Sequence, residues 1–374
     1  MSGRYRMPAE WELHQGMLMA WPVSEAVWGS GLADAREAFA RVARTIARFE
    51  NLIMVATTQN APEARRLCGA QVQVLELEHD DCWMRDAGPT FVIDTVTGEQ
   101  VALDWEFNAW GHTYPDYLLD QQLPHHLSRQ LDTRRLAPGM VLEGGSIHTN
   151  GCGTLITTSE CLLNPNRNPT LDQERIEATL KEYLGVQTVI WLPWGLDGDE
   201  TDGHVDNVCC FIDSSTVLMP WTEEVSDPNY ARLAQNRDVL LAHGLEVQYL
   251  PQPPRTLRDG IPLSLSYVNF VFVNGGIVMP LFGGALADLD QNAIRTLQNL
   301  FPQREVVGIE SMPIVAGGGN IHCITQQIPQ LPQKVQEPQQ PQEPQQLPQE
   351  SRKLPQESRK LREQEGRAAC APLP

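Results

Sequence analysis

Between Asp34 and Ile309 the chain repeatedly runs an amphipathic helix straight into a short apolar strand, and this recurrence restricts its fold more than any other feature. Residues Asp34 to Phe49 place Phe39, Val42, Ala43, Ile46 and Ala47 on one helical face, and Leu52-Ile53-Met54-Val55-Ala56 follows as a buried strand. Helices over 171–184, 230–242 and 287–300 lead in the same way into strands at 188–191, 246–250 and 305–309. Further strands are expected at 72–75 and 90–93. Helices alternating with strands cover sheets on their faces, so the pattern predicts an α/β body built from similar units. Periodicity leaves their mutual arrangement open.

The character of the chain changes at Ile328. A Gln/Pro/Glu tract follows, and Leu347-Pro348-Gln349-Glu350-Ser351-Arg352-Lys353 recurs as Leu354-Pro355-Gln356-Glu357-Ser358-Arg359-Lys360. With almost no branched or aromatic side chains, such a segment cannot bury enough surface to offset chain entropy. The expected division is therefore a folded body at 1–328 and a disordered low-complexity tail at 329–374. The tail is near neutral, so the formal charge of −19 resides in the body.

That charge argues against nucleic acid as a partner, because no basic stretch would neutralise phosphates, and it favours a small cationic ligand. No segment approaches the roughly 20 apolar residues of a membrane span, and the N-terminus has no apolar run of signal-peptide type. The eight cysteines are scattered with no disulfide or zinc spacing, which fits a reducing cytosol.

Five segments carry residues suited to chemistry. In Gly317-Gly318-Gly319-Asn320-Ile321-His322-Cys323 a glycine run allows close approach of another group, and the cysteine behind it can present its sulfur to a cleft. His322 is expected to face away from that sulfur, as neighbours in a strand do. Asp199-Glu200-Thr201-Asp202-Gly203-His204-Val205-Asp206 crowds four carboxylates around one histidine, which favours the imidazolium. In an extended segment His204 and Asp206 would share one side. Glu143-Gly144-Gly145 sets a carboxylate at a tight backbone position. Asp81-Cys82-Trp83-Met84-Arg85-Asp86-Ala87-Gly88-Pro89 places an indole among charges before a turn. Asp104-Trp105-Glu106-Phe107-Asn108-Ala109-Trp110-Gly111 could wall a cation with aromatic faces. Taken singly, each also fits a plain structural role: a buried thiol, a solvated acidic loop, a turn acid, a salt-bridged strand end and core packing. No dinucleotide or phosphate-loop fingerprint is present.

In combination and order these segments resemble the agmatine deiminases of the bacterial-type peptidylarginine deiminase family, within the guanidino-group-modifying enzymes. The resemblance runs from Arg6-Met7-Pro8-Ala9-Glu10-Trp11 and Met19-Ala20-Trp21-Pro22, through Trp83 to Pro89, Phe107 to Gly111, Glu143 to His148, Leu162-Leu163-Asn164, Asn166 to Pro169 and Asp199 to Asn207, to Gly317–Gln327. It implies a five-fold pseudosymmetric α/β propeller, the pentein fold, hydrolysing agmatine to N-carbamoylputrescine and ammonia with no metal or organic cofactor. It further implies Cys323 as nucleophile, His204 as proton shuttle, Glu143 as the partner that orients His204 or shares the guanidinium, Asp86 and Asp206 as guanidinium clamps, and Trp83 beside the cation. Glu200 either binds the distal amine or supports His204. A homodimer is suggested. Two features depart from the family: His112 follows Gly111 where a glycine pair is expected, and the tail has no counterpart.

The residue types suit such chemistry. A guanidinium stays protonated at neutral pH, and its carbon is a poor electrophile that calls for a strong, weakly basic nucleophile. Three other readings remain open at this level: a deiminase of free, peptidyl or methylated arginine, a metal-dependent hydrolase built on the acidic loop around His204, and a catalytically silent propeller scaffold.

Overall fold

Five times the chain lays down two antiparallel strands, crosses through a helix and returns with a strand parallel to the second. The computed structural model describes residues 3–258 and 260–331; of the tail expected at 329–374, residues 332–374 lie outside them. In one unit Thr90–Asp94 and Gln100–Leu103 pair antiparallel, helix Leu123–Gln130 follows, and Arg134–Leu136 returns parallel. The next joins Ile147–Thr149, Thr154–Thr158, helix Gln173–Leu184 and Thr188–Leu192. Then come Cys210–Phe211, Thr216–Trp221, helix Pro228–Ala242 and Glu246–Pro251. Val271–Val273, Gly276–Leu281, helix Ala287–Leu300 and Glu305–Glu310 repeat the order.

The remaining unit is assembled from both ends of the described chain. Strand Thr325–Pro329 pairs antiparallel with His14–Ala20, which continues through helix Leu32–Ile46 into the parallel strand Leu52–Ala56, with Val72–Glu76 added at its edge. Gln330 N also donates to Leu13 O, so paired backbone extends past Ile328.

Local chemistry fixes the helix limits. Asp172 accepts from Arg175 N at the start of its helix, and Gly185 ends it in a left-handed conformation (φ 72°). Asp227 caps the helix that opens at Pro228, where the missing N–H costs nothing. Helix Leu32–Ile46 buries Ala35, Ala38, Phe39, Val42, Ala43 and Ile46, and the burial of Phe39 alone contributes roughly 1.5–3 kcal/mol.

The four helix-then-strand pairs expected from periodicity are present, with ends moved by at most three residues. The strands expected at 72–75 and 90–93 are present too, as Val72–Glu76 and Thr90–Asp94, but the first strands of the other units escape that reading. Ile147–Thr149 is three residues long and Cys210–Phe211 two, too short to show a period. Pro220 and Pro280 sit within paired strands, where proline ordinarily argues against one. Thr325–Pro329 is polar yet buried throughout.

Candidate active site

Residues two to seven positions before the first strand of every unit turn toward one interior cluster. Trp83 and Asp86 precede Thr90, Glu143 and Gly145 precede Ile147, His204 and Asp206 precede Cys210, Asn269 precedes Val271, and His322 and Cys323 precede Thr325. Repetition of the unit thus delivers the same segment to one place from five parts of the sequence.

Gly145 marks the centre. A Cβ there would lie 2.7 Å from His204 Nδ1, 2.8 Å from Asp86 Oδ1 and 2.9 Å from Asp206 Oδ2. Three functional groups therefore converge on space that only a glycine leaves open. Cys323 Sγ lies 3.5 Å from Asp206 Oδ2 and 3.2 Å from Asn269 Nδ2. All six side chains expected at the reacting centre or beside it (Cys323, His204, Glu143, Asp86, Asp206 and Trp83) are buried.

The backbone conformations differ from the extended strand expected near His204. Val205–Asn207 forms a 3-10 turn, yet the turn still aims His204 and Asp206 at the same point. Asp86 sits in the helical turn Met84–Ala87 rather than at a strand end. There its Oδ1 accepts from Gly145 N (3.0 Å) and its Oδ2 from Trp110 Nε1 (3.0 Å). Two donors lock the carboxylate plane.

The glycine run fits its expected use. A Cβ on Gly319 would collide with the Trp83 indole and Cys323, and one on Gly318 (φ 108°) with Glu200. Trp83 stacks on Trp28 with ring centroids 5.7 Å apart and meets Trp110 edge-on at 6.4 Å. Ala109, Trp110, Gly111 and His112 all have positive φ, between 53° and 83°. This left-handed run turns the Trp110 indole onto Asp86. It also accounts for the expected glycine pair, because His112 (φ 66°) occupies a conformation that costs a non-glycine residue about 1–2 kcal/mol.

His204 Nε2 faces Glu143 Oε2 at 3.7 Å, and its Nδ1 lies 3.8 Å from Asp86 Oδ1. Burial disfavours the imidazolium, but Asp86, Cys161 and Glu143 outweigh it and hold His204 well above its ordinary range. The other Glu143 oxygen is taken by Arg167 Nε at 2.7 Å, and Arg167 also pairs with Asp202 at 2.6 Å. Burial pushes against ionisation of Glu143, yet His204 and Arg167 keep its pKa low. Glu143, Cys161 and His204 each bring a donor atom within 4.8 Å of the others, a set that a thiophilic cation could use. The Arg167 guanidinium already supplies positive charge there.

Burial raises the Asp86 carboxyl to about 6, with Asp206 and Glu143 adding to the rise and His204 opposing it. The Cys323 thiol is pushed well above its usual range by burial and by Asp206 and Asp86. Glu200 is raised to about 7 by burial and Asp199; it accepts from Tyr114 Oη at 3.4 Å and borders a cavity of about 220 Å³ with Gly317 and Gly318. Its place is beside the glycine run, where a Cβ on Gly318 would meet its carboxylate.

Several participants were not singled out from the sequence. His322, expected to face away, lies in a turn rather than a strand and reaches Asp206 and Glu10. Asn269 contacts the sulfur from a segment without any motif, and Cys161 joins His204 from the helix Ser159–Leu162. Glu10 was visible only within the quoted N-terminal stretch.

Comparison with known proteins agrees with this geometry. The sequence profile of the Porphyromonas-type peptidyl-arginine deiminases matches residues 6–329. An agmatine deiminase of Stutzerimonas stutzeri is 46% identical over 358 residues, an alignment that covers 87% of this chain and 95% of that protein. Among solved structures, an agmatine deiminase of Enterococcus faecalis superposes with a TM-score of 0.82 at 35% identity, covering 87% of this chain and 96% of that one. A cysteine-to-serine variant of the C. jejuni agmatine deiminase, solved with substrate bound, gives 0.81 at 27% identity over 87% of this chain and 96% of that one. The chain belongs to the Porphyromonas-type peptidyl-arginine deiminase family and has its α/β fold.

Proposed function

We propose that this chain hydrolyses agmatine to N-carbamoylputrescine and ammonia through a covalent intermediate on Cys323. The observation that carries the reading is the cradle at Gly145, where His204, Asp86 and Asp206 converge a few ångströms from the Cys323 sulfur. A planar cation fits two carboxylates placed on either side of a thiol. In free enzyme the thiol is neutral. Binding the guanidinium between Asp86 and Asp206 offsets the two charges that hold its proton, so the substrate itself promotes the thiolate and the proton leaves to solvent.

The thiolate then forms a bond to the guanidinium carbon, giving a neutral tetrahedral adduct. The His204 imidazolium gives its proton to one amino group, the C–N bond breaks, and ammonia departs, leaving an amidino-cysteine cation. Neutral His204 next takes a proton from water as the oxygen bonds to carbon. Collapse of this second adduct expels the thiolate and forms the urea group, and the hydroxyl proton passes to solvent, where the ammonia released earlier takes up a proton as ammonium. Glu143 keeps the imidazolium charged and aimed.

Arg85 and Arg167 are both engaged with buried carboxylates, which leaves neither to bind a substrate α-carboxylate. This favours agmatine over arginine. Glu200, at the mouth beside Gly318, is the group we assign to the distal ammonium, and Trp83 to the face of the cation. We further propose that the five units close into a propeller around this site, that the protein acts in the cytosol as a homodimer, and that its product feeds putrescine formation. Ammonia release from agmatine, arginine and a peptidylarginine at equal concentration tests the substrate assignment. Preference for arginine or the peptide would overturn it.

A further inference from the structure

We propose that His322 is a positioning residue for Asp206: held between Glu10 and Asp206, it fixes Oδ2, the oxygen that faces the Gly145 cradle and the Cys323 sulfur, and so sets the orientation of the carboxylate that clamps the guanidinium. The inference rests on the reading of Asp206 as a substrate clamp. His322 Nδ1 lies 2.9 Å from Asp206 Oδ2, and its Nε2 lies 2.9 Å and 3.1 Å from the two oxygens of Glu10. Carboxylates only accept, so with both acids ionised each ring nitrogen must donate, and the ring is an imidazolium. All three side chains are at least nine-tenths buried, where such charged contacts are strong and their loss is costly.

The surrounding groups complete a balanced ladder. Glu10 also meets Arg85 (3.3 Å) and His148 (3.6 Å), while Asp206 faces Cys323 and lies near His204 and Asp86. Arg85 Nε donates to the His322 carbonyl, and Arg85 N donates to the Cys323 carbonyl. The turn that presents the nucleophile is thereby tied to the support of its clamp. Asp206 Oδ1 is buried and has no partner, as expected of an atom waiting for a ligand. Without His322, the carboxylate could rotate and carry Oδ2 away from the cradle and from the thiol it faces at 3.5 Å. Burial works against the Asp206 anion, and the hydrogen bond and charge of His322 reverse that effect.

Equilibrium binding of agmatine to Cys323→Ala protein between pH 5 and 8 tests this without turnover. In that background Asp86, raised to about 6, and Glu200, raised to about 7, should both limit binding at acid pH. His322→Gln added to it should weaken binding about tenfold to a hundredfold, the scale seen when the support of a ligating group is lost. The acid limb should also move to higher pH and become steeper than in Cys323→Ala alone, because Asp206 then titrates in the same range. Glu10→Gln, which keeps an acceptor but removes its charge, should shift the limb in the same direction by less. An even loss of affinity at every pH, or no loss, overturns the proposal. So does failure of both variants to fold, which would make the pair a structural strut. Absence of agmatine binding to Cys323→Ala protein at pH 8 overturns the substrate reading and this inference together; normal binding there with an unshifted limb in His322→Gln overturns this inference alone.

Discussion

Asp206 holds a carboxylate oxygen 3.5 Å from the sulfur of Cys323, so the resting nucleophile faces an anion rather than a cation. A thiol so placed keeps its proton until a positive charge arrives. Asp206→Asn should therefore make Cys323 more reactive toward iodoacetamide at pH 8 while turnover of agmatine falls, since Glu10 still holds His322 charged. Peptide-resolved alkylation separates Cys323 from the exposed Cys152. Unchanged or slower alkylation of Cys323 would show that Asp206 does not govern the thiol.

The pH dependence of kcat/KM should be bell-shaped. Asp86 must be ionised to clamp the guanidinium and Glu200 to hold the distal ammonium, and their folded-state values are about 6 and about 7, so the profile should begin to fall near pH 7 and steepen as pH drops through about 6. His204 is held well above its ordinary range, so it remains protonated at neutrality and the basic limb should lie above pH 7. His204→Gln should lower kcat by roughly 10²–10⁴-fold with little change in KM. A profile flat from pH 5 to 7 would contradict the role given to Asp86.

Gly145→Ala should give a folded protein with little activity. Its Cβ would stand within 2.9 Å of His204, Asp86 and Asp206, in the space assigned to substrate. Displacement of about 1 Å at a reacting centre can cost 10²-fold, so a loss of at least that size is expected. Near-normal kcat/KM with unchanged circular dichroism would place the substrate elsewhere.

How much of this was legible in the chain depends on which forces set each element. Helices such as Gln173–Leu184 show in the sequence because one apolar face and a capping Asp172 specify them locally. Of the short strands before which the site residues sit, Thr90–Asp94 shows and the others do not, because their pairing partners lie outside the local pattern. Thr325–Pro329 is specified by His14–Ala20, at the other end of the described chain. Cys323, His204, Glu143, Asp86 and Asp206 could be picked out because motif residues surround them. Asn269 and His322 could not: one has no flanking signal, and the other was read with strand geometry although it lies in a turn.

Truncation should separate the body from the tail at a defined point. Pro329 pairs with His14, and Gln330 N donates to Leu13 O. A chain ending at Leu331 should keep turnover and Tm close to those of the full chain, since every motif precedes Ile328. Ending it at Ile324 removes the strand that completes the first unit and should abolish folding. Loss of Tm on removal of residues 332–374 would show that the tail stabilises the body.

The central claim is that Cys323 carries the reaction as a covalent nucleophile. Acid quenching during turnover of agmatine, followed by peptide mass spectrometry, tests it most directly. The peptide containing Cys323 should gain the mass of agmatine less ammonia, and Cys323→Ala protein should show neither adduct nor ammonia release while keeping its fold. A folded Cys323→Ala protein that still releases ammonia from agmatine near the wild-type rate, or an adduct on another residue, would contradict the account.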